Sequence, residues 1–109
     1  MSAGFEVGGE VSWGTNGAVE AYLEAMAEEA AARSGPADPL AAFLREEREA
    51  FSMGKVVFLD DWLGDAAARA RFVELLDAAT NRLRDGFTDY GREWMATVVR
   101  DLRERIGGP

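Results

Sequence analysis

A chain of 109 residues with a net charge of −8 and neither histidine nor cysteine leaves few chemistries open. Without imidazole or thiol, Ser-His-Asp and Cys-His nucleophiles, zinc fingers and disulfides are excluded, and carboxylates, arginines, one lysine, hydroxyls and amides remain. Hydrophobic residues make up 48% and charged residues 29%, a globular composition, and the length suits one domain over 1–109 that buries about 65% of its unfolded surface.

The start, Met1-Ser2-Ala3-Gly4-Phe5-Glu6, lacks a basic and apolar leader pattern. No apolar run approaches the ~20 residues of a membrane span, so a cytoplasmic location is expected. The charge is uneven. Residues 1–64 carry twelve acids against four bases, and residues 65–109 carry eight of each. An acidic first half opposes phosphate backbones and anionic membranes and favours a basic protein partner.

Between Phe5 and Trp13 the odd positions are Phe5, Val7, Gly9, Val11 and Trp13, the period of a half-buried strand. A two-residue turn at Gly8-Gly9 sets Val7 opposite Glu10 and scrambles the faces. A three-residue turn, Gly8 to Glu10, pairs Val7 with Val11 and Phe5 with Trp13, keeping the apolar groups together. One long strand and a hairpin of the second kind both fit. Gly14-Thr15-Asn16-Gly17 breaks the strand, and Thr15 or Asn16 can cap a helix. Val19, Tyr22, Leu23, Met26, Ala27 and Ala30 then fall on one helical stripe. Ser34-Gly35-Pro36 ends it, and Asp38-Pro39 starts a second helix through Leu40, Phe43, Leu44 and Phe51, with Gly54 as a stop.

Lys55 to Asp60 encloses four consecutive apolar residues, Val56, Val57, Phe58 and Leu59, as expected of a central strand covered on both faces. Asp65 opens a third helix through Phe72, Val73, Leu76, Ala79 and Leu83, closed by Gly86. Thr88 or Asp89 opens a fourth, with Tyr90, Trp94, Val98, Leu102 and Ile106 on one side before Gly107-Gly108-Pro109. The expected fold is α+β, a small two- or three-stranded sheet packed with four helices in the order β-α-α-β-α-α. The alternative is a four-helix bundle with a peripheral hairpin.

Four constellations bear on function. Asp60 and Asp61 follow a buried strand, where paired carboxylates can hold Mg²⁺, although capping and solvation are their commoner uses. The Gly14–Gly17 junction could present a helix N-terminus to an anion, but it lacks the G-x-G-x-x-G fingerprint, and Ser52-Met53-Gly54-Lys55 lacks the first glycine of a P-loop. Glu20, Glu24 and Glu28 form an i, i+4 ladder of like charge, slightly unfavourable to the helix unless a cation meets it. Trp62 sits in a polar loop, where a tryptophan is a lid on the core or an interface anchor, whereas Trp13 and Trp94 are expected in the core.

These features favour a non-catalytic protein-interaction module, a regulator or an immunity-type inhibitor, with Glu20, Glu24, Glu28 and Trp62 facing a basic partner and no cofactor. The competing expectation is a small Mg²⁺-dependent enzyme or ligand-binding domain that uses Asp60 and Asp61. Free sheet edges add the expectation of a symmetric homodimer.

Overall fold

The structure, a computed structural model, describes residues 2–107. Gly108 and Pro109, expected to stop the last helix, lie outside the described residues. The fold is α+β, with a three-stranded mixed sheet and four helices in the expected order. Strand β1 (Ser2–Val7) pairs antiparallel with β2 (Glu10–Thr15) and parallel with β3 (Val56–Phe58), so β1 is the central strand. Helix α1 covers Asn16–Ser34, α2 Pro39–Glu49 and α3 Ala66–Leu83. The last helix, α4, runs over 89–107, with a π turn at Met95–Val99 between the α-helical segments Asp89–Trp94 and Arg100–Gly107.

The hairpin departs from the three-residue turn expected of it. Gly8 and Gly9 form a two-residue turn with φ of 60° and 86°, and Val7 faces Glu10. Two consecutive positive φ values match the strand twist and suit glycine at both positions. Phe5 then lies opposite Ser12 and Ala3 opposite Gly14 on the inner face, while Val11 and Trp13 turn outward. Separating Val11 and Trp13 from the core is tolerated because Trp94 enters from α4 and fills the space over Gly14. A Cβ on Gly14 would lie 2.5 Å from Trp94 Cζ2, and Trp94 Nε1 donates to the Trp13 carbonyl at 2.7 Å. This close approach also lets the strand run on to Thr15 through the expected break.

The helices lie against one face of the sheet. Ala3, Phe5 and Val57 are buried there together with Val19, Tyr22, Leu23 and Met26 of α1, Leu44 of α2, Phe72 and Leu76 of α3, and Leu102 and Ile106 of α4. Tyr22 is the largest fully buried side chain. Its ring meets Trp94 edge-on at 5.5 Å and Phe87 at 6.2 Å, and its hydroxyl pairs with Thr80 Oγ1 at 2.8 Å. Burial pushes the Tyr22 phenol above its ordinary range, so it acts as a neutral packing and hydrogen-bonding group. The helix starts are the expected ones. Thr15, Asp38, Asp65 and Thr88 each accept an N–H from the first helical turn.

Three further expectations are corrected. Helix α2 stops at Glu49, and Gly54 (φ 82°) instead shapes the turn into β3, where its N–H donates to Asn16 Oδ1. Tyr90 is exposed rather than part of the α4 stripe. Strand β3 is an edge strand with one covered face. Val57 is fully buried, yet Phe58 is 62% exposed. Four apolar residues in a row arise here because Val57 and Leu59 enter the core while Val56 and Phe58 stay on the open face.

Candidate interaction surface

Because strand side chains alternate, the two registers fix what shares the sheet's outer face. One row runs Trp13, Gly4, Val56, and the next runs Val11, Glu6, Phe58. Among the described residues no helix packs across these rows, and Thr97, Val98 and Arg105 of α4 border them at Val11 and Trp13. Trp13 is 51% exposed, Phe58 is 62% exposed, and Val11, Val56 and Glu6 are half-buried among one another. Gly4 is needed beneath them, since a Cβ there would lie 2.5 Å from Val11 Cγ1. The outer face therefore presents two aromatic rings and two valines around one carboxylate.

Beyond β3 the chain turns through a short 3-10 segment, Asp60–Trp62. Asp60 Oδ1 accepts the Gly8 N–H at 2.9 Å, tying the strand end to the hairpin turn, and Asp61 beside it is exposed. Among the described residues no cation lies within ion-pair distance of Glu6, Asp60 or Asp61. Three carboxylates without an ion-pair partner among the described residues thus lie on or beside this face. The two aspartates stand without further acids: among the described residues no group of three or more is placed to hold a metal ion. Asp60 is already engaged by the Gly8 N–H.

The residues expected to face a partner are engaged within the molecule. Glu20 and Glu24 both reach Arg48 of α2, at 3.2 and 3.8 Å, and Glu28 reaches Arg82 of α3 at 3.2 Å. The ladder is thus compensated by the neighbouring helices, which removes the argument that it needs an outside cation. Such exposed pairs each contribute ~0–1 kcal/mol, so they relieve like-charge repulsion more than they stabilise the packing. Trp62 is half-buried and tilts onto Phe43 of α2, with ring centroids 5.0 Å apart, the arrangement of a lid on the core. The tryptophan left in solvent is Trp13.

Sequence reasoning missed Trp13, Phe58 and Glu6 as one cluster. The signal was present in Gly8-Gly9, a pair suited to the two-residue turn that moves the odd residues of β2 to the outer face. At the other end of the hairpin, Arg105 of α4 donates to the Val7 and Glu10 carbonyls at 3.3 and 3.2 Å and to Ser12 Oγ. That guanidinium and Trp94 fasten α4 along the β2 edge. Among the described residues no helix is long and apolar enough to cross a membrane. Among known proteins, no family model, no curated protein and no solved structure matches this chain.

Proposed function

We propose that the chain is a non-catalytic protein-interaction module whose open sheet face binds a basic, partly apolar segment of another protein. The observation that carries this is the outer face of Trp13, Val11, Val56 and Phe58 around Glu6, a carboxylate with no cation in ion-pair distance among the described residues. An exposed apolar cluster on one face of a small domain marks an interaction site more often than a scattered surface residue does. Aromatic side chains give the contact area, and an arginine or lysine on Glu6 gives the orientation. Long-range charge supports the same polarity, since all three strands belong to the half of the chain that carries the entire net charge of −8. A regulator or an immunity-type inhibitor, which acts by occupying a basic partner, is the role that suits this surface.

The test uses a defined probe, a synthetic peptide alternating arginine with valine, titrated calorimetrically. Binding should weaken as salt rises, because the Debye length shrinks from about 30 Å at 0.01 M to about 10 Å at 0.1 M. It should fall at least tenfold in a Trp13→Ser/Glu6→Gln double variant and persist in Glu20→Lys/Glu24→Lys/Glu28→Lys. The opposite pattern, loss in the ladder variant and retention in the sheet-face variant, overturns the proposal and returns the contact to α1.

A further inference from the structure

The two edges of the sheet are treated differently by the fold. Along β2, α4 supplies a donor to an outward carbonyl, Trp94 to that of Trp13, and Arg105 holds the hairpin end through the Val7 and Glu10 carbonyls. Along β3 nothing comparable occurs among the described residues. Gly4 N–H donates to the Lys55 carbonyl and Leu59 N–H donates to the Glu6 carbonyl, so the odd residues of this strand point their backbone groups toward β1. Val56 and Phe58 must then point theirs outward, and among the described residues none bonds to them. The edge carries no proline and no bulge, and Phe58 and Met53 leave large apolar surfaces around it, 62% and 71% exposed. Natural sheets usually blunt such an edge.

We propose that β3 pairs antiparallel with β3 of a second copy, across a two-fold axis through Val57, to give a continuous six-stranded sheet. Symmetry selects the occupant. A two-fold axis perpendicular to the sheet keeps the same face outward in both copies. Centred on Val57, it sets Val56 opposite Phe58 of the other copy, and Phe58 opposite Val56. These are the two residues on each side with free N–H and C=O groups, so four backbone hydrogen bonds form and no free donor on the strand is left over. The same register brings Val56 and the other copy's Phe58 together on the outer face, an aromatic and β-branched cross-strand pair. Centring the axis one residue away, on Val56 or on Phe58, matches only one such pair of residues.

The contact is small. An aromatic side chain presents ~150–250 Å², so Phe58 with its three-residue strand and Met53 yields a few hundred Å² per copy, below the ~800 Å² per partner of stable complexes. The dimer is therefore a weak, reversible one. Each copy carries a charge of −8, so like-charge repulsion opposes association and added salt strengthens it. This is the reverse of the salt dependence expected for a basic partner, and the two proposals fail separately: one rests on the strand's edge, the other on the sheet's face.

The experiment is sedimentation equilibrium over a concentration series at low and at high salt. The weight-average mass should climb toward twice the monomer mass with concentration, and more steeply at high salt. Val56→Pro removes an outward N–H while leaving every β1–β3 bond in place, so that variant should stay monomeric under the same conditions. In the parent protein, exchange of the Val56 and Phe58 amides should slow several-fold with rising concentration, a readout that does not depend on the proline variant folding. A parent that remains monomeric, a proline variant that associates as the parent does, or edge amides whose exchange ignores concentration overturns the proposal.

Discussion

Truncating two adjacent residues of β3 separates its covered side from its open one. Val57 is fully buried between Phe5 and the helices, so Val57→Ala removes two carbons from the core. At ~0.8 kcal/mol for each carbon, plus the cavity left behind, the loss is about 2–3 kcal/mol. Phe58 is 62% exposed and buries little more than a third of its surface, so Phe58→Ala gives up about 1 kcal/mol of the ~3 kcal/mol of full burial. Urea unfolding followed by tryptophan emission, at protein concentrations too low for association, resolves the difference. With a slope of ~1–3 kcal/mol/M, the Val57 variant should lose about 0.7–3 M of midpoint and the Phe58 variant about 0.3–1 M, a two- to threefold difference at any one slope. Val57→Asp strands a carboxylate in the core and should cost several kcal/mol, a large share of the ~5–15 kcal/mol typical of a domain. Phe58→Asp should cost no more than Phe58→Ala. Equal midpoint losses at 57 and 58 would refute an open outer face, and with it the interaction surface built on that face.

Gly14→Ala drives a Cβ to within 2.5 Å of the Trp94 ring and should lower stability by about 1–3 kcal/mol while shifting Trp94 emission, both read in one denaturation series. Gly8→Val meets no neighbour but forces a branched residue to a φ of 60°, and should lower stability by about 1–2 kcal/mol; an unchanged melting temperature would contradict the turn geometry. The Arg71 guanidinium at 2.6 Å, with the Ala41 N–H, holds the Asp38 carboxyl below the usual carboxylate range. A depressed folded pKa contributes stability that is complete above the unfolded value of ~3.9 and is lost as pH falls through the folded one. Asp38→Asn should therefore melt below the parent at neutral pH, with the gap closing in acid; a gap that holds to pH 2 would show that the pairing does not drive it.

Most of the architecture was legible because local chemistry and tertiary packing agree. Thr15, Asp38 and Asp65 read as caps from the sequence and act as caps in the structure, and the stripe from Val19 to Ala30 is the buried side of α1. Disagreement begins where a pattern admits two registers. Four apolar residues at 56–59 fit a strand covered on both faces, yet they also fit an edge strand that buries only its odd members, and nothing in the run distinguishes them. The choice comes from the third dimension, because α4 and α1 fill one face of β1 and, among the described residues, no element remains to cover the other. The end of α2 at Glu49 is likewise illegible, since Phe51 continues the apolar spacing after the helix has stopped.

The interaction surface was illegible for a related reason. In the Phe5–Trp13 segment, the argument for keeping apolar side chains together selects a three-residue turn, which would have placed Val11 and Trp13 in the core opposite Val7 and Phe5. The backbone preference of Gly8-Gly9 selects two residues instead, and a shift of one residue moves the odd positions of β2 to the other face. The core tolerates the change because Trp94 of α4, some eighty residues away in sequence, supplies the aromatic ring that Trp13 withholds and anchors itself on the Trp13 carbonyl. One tryptophan replaces another in the core, and the displaced one stays on the open face. The acidic ladder on α1 was legible only in part. Its spacing is visible in the sequence, but Arg48 and Arg82, the cations that compensate it, come from other helices. Glu6 has no such neighbour among the described residues, and for that reason the proposed contact with a basic partner rests on the sheet rather than on the ladder.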